Sequence, residues 1–333
     1  MVKADGYGLG ATKVTQSLLV AGCRRFFVAT MEEAVTLRQS VPGDFSIYVL
    51  EGFVSTNTLQ EFDAHDLVPV LNTLENIRTW SEHAKSRGGR RAVLALDTGM
   101  NRLGLTTKDA TWLARETGAL AGIELEYVMS HLACADEPNH PMNEQQRALF
   151  DELRAMLPSS KASLANSGGI FLGQEYHYDL ARPGAALYGL TQNCGAHSEI
   201  LQVVGLKSKI LQIRVVDSES TVGYAATRTV PAKTRLATVA AGYADGYPRS
   251  LSNSGHGYAA GVKVPVAGRV SMDLTVFDIS DVPLNSIKPG DDIELIGEWQ
   301  TVDEVAETAG TIGYEILTSL GARYAKNYTG NVS

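Results

Sequence analysis

What the chain lacks narrows its role before any motif is considered. No apolar run is long enough to span a bilayer. The opening residues, Met1-Val2-Lys3-Ala4-Asp5-Gly6-Tyr7-Gly8, are not a basic stretch followed by an apolar one, so they do not read as a signal peptide. Cysteine is scarce: Cys23, Cys134 and Cys194 are the only three, and none are in C-x-x-C spacing. An odd count without such spacing suits a reducing compartment better than a disulfide framework, and no metal site is expected from it. There is no basic excess either. Lys and Arg number 29 against 37 Asp and Glu, a formal net charge of −8. That balance argues against a nucleic acid or an anionic membrane as partner, although local arginines can still bind small anions. There is no low-complexity segment and no run of like charge. The reading that remains is a cytoplasmic protein acting on a small molecule.

What is present is periodic. The 333 residues are enough for a large domain and a smaller one. Eight apolar runs of strand length follow one another: Val2–Ala4, Phe26–Thr30, Ser46–Gly52, Leu67–Asn72, Ala92–Asp97, Ile123–His131, Lys161–Asn166 and Tyr178–Arg182. Helix-like stretches such as Met31–Gln39, Leu74–Ser86 and Asn143–Met156 lie between them. Strands alternating with helices imply parallel pairing, and eight strands close a (β/α)8 TIM-like barrel. A doubly wound open sheet is the alternative. After about Gly205 the pattern becomes short strands, Leu206–Val216, Leu236–Ala241, Gly261–Val270 and Asp291–Ile296, punctuated by Gly and Pro, with a short helix at Val302–Ala309. The expected architecture is α/β: a barrel over residues 1–205, then a mostly β domain over 206–333.

In such a barrel the chemistry sits at the C-terminal ends of the strands. The polar residues at those ends are Lys3 and Asp5, then Arg102, His131, Asn166 and Ser167, and finally Arg182 with Gly184. Each has an ordinary reading when taken alone. Lys3 would be a snorkelling surface lysine, the Ser167-Gly168-Gly169 stretch a turn, His131 a satisfied structural histidine and Arg182 half of an ion pair. Together they say more. Burial at a strand end lowers an ammonium pKa, and a neutral amine forms a Schiff base. Glycine-bearing loops after the last two strands are where barrels hold phosphate. A Schiff-base lysine opposite a phosphate site fits pyridoxal 5′-phosphate (PLP). An arginine stays charged, so Arg182 beside the pyridine nitrogen would oppose its protonation, keep the ring neutral and favour proton removal and return at Cα over transamination.

These residues lie in motifs that resemble the alanine racemase family. The segment Val2-Lys3-Ala4-Asp5-Gly6-Tyr7-Gly8-Leu9-Gly10 is similar to its PLP-lysine signature. Asp97-Thr98-Gly99-Met100-Asn101-Arg102-Leu103-Gly104 and His131-Leu132-Ala133-Cys134-Ala135-Asp136 match two further motifs. So do Ala165-Asn166-Ser167, Arg182-Pro183-Gly184, Gly242-Tyr243-Ala244-Asp245-Gly246 and Gly268-Arg269-Val270-Ser271-Met272-Asp273, in the family's order along nearly the whole chain. The resemblance implies a homodimeric, PLP-dependent isomerase that interconverts L- and D-alanine and supplies D-alanine for peptidoglycan. It implies that Lys3 carries PLP as a Schiff base and is the base on the D-face. Tyr224, in Val222-Gly223-Tyr224-Ala225, would be the base on the L-face, entering from the partner of a head-to-tail dimer. Arg182, backed by His131, would meet the ring nitrogen. Tyr7, Ser167 and the Gly184 amide would hold the phosphate, with Asn166 beside them. Arg102 would meet the phenolic oxygen and the substrate carboxylate, which the Met272 amide also faces. Asp136, Tyr243, Arg249 and Arg269 would line the access channel.

The chain also departs from the family pattern. It begins almost at the lysine, without the strand and helix that relatives carry before it, and an open apolar groove is expected where that helix would lie. Ala95 stands where many relatives have a carbamylated lysine that orients the arginine, so a bound anion such as chloride or another side chain would have to support Arg102. Ala322 replaces a phosphate-binding tyrosine of some relatives, and Ser271 a frequent cysteine. These departures keep open a racemase for serine or a larger amino acid. A non-catalytic PLP-binding protein would lack the second domain and Tyr224. A PLP decarboxylase of this architecture would carry a glutamate in place of Arg182. An inactive fragment that still folds and binds PLP is the last alternative.

Overall fold

Side-chain alternation along short strands organises the first part of the chain. In the computed structural model, residues 1–116, 118–191 and 200–330 are described; Cys194 lies outside them. Two compact units result, one built on Met1–Leu187 and the other on Ser198–Asn327.

The first unit begins with a helical turn, α1 (Lys3–Tyr7), and helix α2 (Ala11–Val20), followed by β1 (Arg25–Val28) and α3 (Met31–Ser40). The alternation continues through β2 (Ser46–Val49), α4 (Leu59–Ala64), β3 (Leu67–Leu71), α5 (Leu74–Lys85), β4 (Arg90–Ala95) and α6 (Thr107–Arg115). It ends with β5 (Ile123–Met129), α7 (Met142–Ala155), β6 (Lys161–Ser163) and α8 (Ser167–Leu172). The six strands form one sheet in chain order, every pair parallel. Odd and even positions serve different cores, as the two-residue period requires. Phe26, Ile47, Leu71, Leu94 and Val128 join the larger cluster with Leu37, Trp80 and Phe150 of the helices. Phe27, Tyr48, Val70, Val93, Tyr127 and Met129, on the alternate positions, make a second cluster.

Of the eight expected strands, six are regular. The first and the last are not, and the reason is local. Ala4 and Asp5 have φ values of 51° and 52°, which ends the extended run at once, and Tyr178 has φ 48° where the last run would begin. Both segments still take their places beside the sheet. The Val2 amide donates to Phe27 O at 2.9 Å, and Asp179 and Arg182 amides donate to Ala162 O and Ala165 O at 3.1 and 2.9 Å. The amino group of Met1 donates to Pro183 O at 3.0 Å, joining first segment to eighth. The unit is a (β/α)8-type barrel with two irregular strand positions.

The second unit is mostly β. Strands β7 (Leu206–Val215), β8 (Ser220–Val222), β9 (Arg228–Val230), β10 (Arg235–Val239), β11 (His256–Ala259), β12 (Val262–Pro265), β13 (Thr275–Asp278) and β14 (Asp292–Ile296) precede helices α9 (Val302–Ala309) and α10 (Gly313–Ser319). Six strands form a sheet in the order β12-β11-β14-β7-β10-β13, with every pair antiparallel. A bridge from Val266 to Phe277 links its two outer strands. β8 and β9 form a separate hairpin. The sequence pattern found β7, β10, β14 and α9. It merged β12 with the loop that follows, and it passed over β8, β9, β11, β13 and α10, which are too short to show a period of their own.

Candidate active site

The C-terminal ends of the barrel strands bring Lys3, Arg102 and Arg182 close enough to feel one another or a shared neighbour, His131. At the centre of this group is the turn that follows Lys3. Ala4 (φ 51°, ψ 51°), Asp5 (52°, 46°) and Gly6 (62°, 46°) all adopt left-handed helical geometry, and Tyr7 follows with φ 56°. For a residue with a Cβ this costs about 1–2 kcal/mol. Hydrogen bonds hold the turn in place: Gly6 N to Val2 O, Gly8 N to Ala4 O and Gly10 N to Asp5 O, at 2.8–2.9 Å. The Asp5 carboxylate accepts from Ala11 N at 2.9 Å, tying the turn to the start of α2.

The turn delivers Tyr7 to the loop after the eighth strand position. A Cβ placed on Gly184 would lie 2.2 Å from the Tyr7 hydroxyl, so only glycine allows this approach. Ser167 Oγ accepts from Gly184 N at 2.8 Å and from Ala186 N at 3.2 Å, which leaves its own O–H to donate outward. Tyr7, Ser167 and Gly184 therefore converge, as expected from the sequence. The Asn166 side chain is occupied differently. It caps α8 by accepting from Gly169 N at 2.9 Å.

Arg182 is buried, and among the described residues its guanidinium has only neutral partners. It donates to Ser163 Oγ, to Ser130 O at 2.6 Å, to Leu164 O at 3.2 Å and to His131 Nδ1 at 3.4 Å. Burial pulls its pKa down to about 10, which still leaves it charged near neutrality. A guanidinium can only donate, so the Nδ1 facing it must be the bare nitrogen of His131, and the ring proton sits on Nε2. Burial, then Arg182, Arg102 and Lys3, push the His131 pKa down to about 3. The ring is neutral at working pH.

This has a consequence for acid stability. The unfolded chain protonates His131 near its ordinary value of 6.5, and the folded chain only near 3. Folding stability should therefore fall as pH drops through that window, by up to about 1.4 kcal/mol per pH unit from this residue. Urea unfolding followed from neutral pH downward should show the slope. His131→Asn, which keeps an acceptor toward Arg182, should remove that part of it; an unchanged slope in the variant would rule out His131 as its source.

Lys3 is partly buried, and its pKa is lowered, first by burial and then by Arg102, with Glu33 and Glu51 opposing. The amine is thus biased toward its neutral, nucleophilic form. Arg102 is solvent-exposed and makes no hydrogen bond or ion pair among the described residues. Its loop is shaped by the Asp97 carboxylate, which accepts from Gly99 N and Asn101 N at 2.9 and 3.1 Å. The loop returns to β4 where Leu105 N donates to Ala95 O at 2.8 Å, and the Ala95 methyl offers no polar group there. Asp136 is exposed on the loop after β5.

The second unit gathers the remaining expected residues on adjoining loops. Tyr224 is 71% exposed between β8 and β9, and the two alanines after it have positive φ. A Cβ on the preceding Gly223 would lie 3.4 Å from Arg269 N. Tyr243 N donates to Ser271 O at 3.0 Å and Ala244 N to Met272 O at 2.9 Å, pinning those two loops together. Tyr243 and Met272 are exposed, as is Arg249, while Arg269 is half-buried.

Two contributors escaped the sequence reading. Gln146, fully buried on α7, donates to His131 O at 2.9 Å and Thr98 Oγ1 at 3.2 Å and accepts from Ala133 N at 2.8 Å. It supports the loop carrying two of Arg182's acceptors. No local signal marks it, because its partners lie on two loops distant in sequence. Glu33 touches the peptide after Lys3. Its spacing from Thr30 is that of a capping box, and this was the signal available.

The group this site suits is set by its donors. A half-buried amine of lowered pKa, the converging Tyr7 and Ser167 hydroxyls that can bind phosphate and a buried guanidinium without a carboxylate fit an anionic aldehyde bearing a ring nitrogen, as PLP does. Comparison with known proteins agrees. The sequence model of the alanine racemase N-terminal domain matches residues 1–192, and that of the C-terminal domain residues 203–328. The chain is 50% identical to an alanine racemase of Rhodospirillum rubrum, covering 99% of this chain and 88% of that protein. It is 47% identical to a catabolic alanine racemase of Agrobacterium fabrum, covering 98% and 84%. The crystal structure of alanine racemase from Bartonella henselae with covalently bound pyridoxal phosphate superposes with a TM-score of 0.92 at 40% identity, covering 97% of this chain and 90% of that one. Motifs, two-unit architecture and cation-rich barrel mouth lead to one assignment: the chain belongs to the alanine racemase family.

Proposed function

We propose that the chain is a PLP-dependent alanine racemase that interconverts L- and D-alanine by two bases working on opposite faces of Cα. The observation that carries this reading is the pairing of Lys3, held toward its neutral form, with Arg182, buried among neutral acceptors only. When bound through Lys3, PLP supplies an electron sink that acidifies the Cα–H of the amino acid. Arg182 stays positively charged and, facing the pyridine nitrogen of PLP, would disfavour its protonation, which would limit that sink and favour return of the proton to Cα. His131, neutral with Nδ1 toward Arg182, accepts from the guanidinium and helps to hold it in place. Tyr7 and Ser167 would hold the phosphate, beside Asn166, and the Gly184 amide, which donates to Ser167 Oγ here, would join them by turning to the phosphate. Arg102 would meet the substrate carboxylate, which the Met272 amide would also face in the dimer.

Lys3 takes or returns the proton on the D-face and Tyr224 on the L-face. Tyr224 is 71% exposed in the single chain, which suits a side chain that completes a partner's site in a head-to-tail homodimer. Asp136, Tyr243, Arg249 and Arg269, drawn from the two subunits, would line the access channel. Residues 1–205 bind the cofactor and 206–333 supply the second base; the family matches ending at 192 and starting at 203 support that division. Among the described residues no helix is long and apolar enough to cross a membrane, in keeping with a cytoplasmic enzyme. The D-alanine formed would serve peptidoglycan synthesis.

The test is direct. Purified protein given PLP should show visible Schiff-base absorbance and make D-alanine from L-alanine, and serine and larger amino acids should turn over more slowly. Absorbance without alanine turnover would redirect the search to another amino acid, and no absorbance after adding PLP would overturn the proposal.

A further inference from the structure

The left-handed turn after Lys3 is held from outside by one carboxylate. Helix α3 starts at its cap residue Thr30, whose side chain accepts from Glu33 N at 3.3 Å. A glutamate in this third position ordinarily turns its carboxylate back to the cap residue's own N–H. Glu33 does otherwise. Its Oε2 accepts from Ala29 N at 2.8 Å, one residue earlier, and its Oε1 from Ala4 N at 2.6 Å, 29 residues away. One carboxylate thus joins the end of β1 to the peptide that follows Lys3.

The second of these bonds has mechanical weight. Ala4 is the first of four consecutive residues with positive φ, and alanine has no preference for that geometry. Its N–H lies ahead of the bonds inside the turn, which begin with Gly6 N donating to Val2 O. A charge-assisted bond at 2.6 Å to the amide that immediately follows Lys3 restrains the first step of the turn. The direction of the lysine side chain and the placing of Tyr7, three residues further on, both depend on that step.

We infer that Glu33 is a positioning residue for Lys3, clamping the left-handed turn so that the lysine amine and the Tyr7 hydroxyl are presented together. The inference rests on the racemase reading, in which these two groups hold the aldehyde carbon and the phosphate of one cofactor. The carboxylate is also an acidic neighbour of the lysine, together with Glu51 and against Arg102.

The experiment compares the holoenzyme with Glu33→Gln, Glu33→Ala and a control, Glu32→Ala, which alters the exposed neighbour on the same helix turn. Three quantities are read: amide hydrogen exchange over residues 4–10, visible absorbance retained after dialysis against PLP-free buffer, and kcat and KM for L-alanine. Glu33→Gln should fold normally, exchange faster over residues 4–10 and lose cofactor on dialysis. Its kcat should fall about ten- to a hundredfold with KM changed less than about twofold, as displacement of a reacting group predicts. Glu33→Ala should go further in each, and Glu32→Ala should match the wild type. If Glu33→Ala does not fold, Glu33→Gln decides. Wild-type exchange, retention and kcat in Glu33→Gln would overturn the inference, as would a lowered melting temperature with retention and kcat intact. Failure of the racemase reading shows separately, as wild-type protein that turns over no alanine; exchange and cofactor retention then still decide the role of Glu33.

Discussion

Replacing Lys3 with alanine should abolish visible absorbance and lower alanine turnover by on the order of 10⁴-fold or more, the size of loss seen when a group that acts in every step is removed. Lys3 is the one residue asked both to hold the cofactor covalently and to carry a proton, so no other side chain can share the loss. The change should be local. The turn it opens is built from backbone bonds of Val2, Ala4 and Asp5 and from the Asp5 and Glu33 carboxylates, none of which needs the lysine side chain. Thermal unfolding should therefore stay close to that of the wild type. The phosphate end, with Tyr7, Ser167 and Gly184, should still take up PLP, weakly and without the Schiff-base band. Appreciable turnover in Lys3→Ala, assayed alongside difference spectroscopy with added PLP, would remove the lysine from the centre of the mechanism.

Removing only the hydroxyl of Tyr224 should separate the two faces of Cα. In Tyr224→Phe, D-alanine should still exchange its α-hydrogen with deuterated water and should keep its configuration, because Lys3 can remove and return the proton on its own face. L-alanine should neither exchange nor invert at more than about 10⁻² to 10⁻⁴ of the wild-type rate, the usual worth of a positioned general base. Absorbance should be unchanged, since the variant leaves Lys3, Arg182 and the phosphate groups as they are. Folding should be unaffected too, because the ring is 71% exposed in the single chain and little of its packing is at stake. Proton NMR of each enantiomer in deuterated buffer reads all of this at once. Equal suppression of exchange from both enantiomers would show that Tyr224 is not a base specific to one face.

Much of this was legible from residue order alone. Short apolar runs separated by amphipathic stretches place β1 to β6 and the helices between them, because each strand buries both faces and each helix one. Lys3, Arg102, His131, Ser167, Arg182 and Gly184 were picked out as candidates by asking what stands at strand ends. That question needs the topology and not the coordinates. The irregular first and eighth strand positions were not legible, since positive φ at Ala4, Asp5 and Tyr178 contradicts the preference of those residue types. Only tertiary contacts can impose such a geometry.

The division between the two sources is physical. The sequence by itself determined the chain's class, its acidic balance, its barrel followed by a β domain, and the residue types available for chemistry, because these follow from local periodicity and composition. Only the tertiary structure decided which of those residues carry charge in a neutral setting. It surrounds Arg182 with carbonyls and a hydroxyl, fixes the bare nitrogen of His131 toward it, lowers Lys3 by burial and sends the Glu33 carboxylate 29 residues away. Those outcomes depend on desolvation and on hydrogen-bond partners drawn from loops far apart in the chain, and neither is a property of any local stretch of sequence.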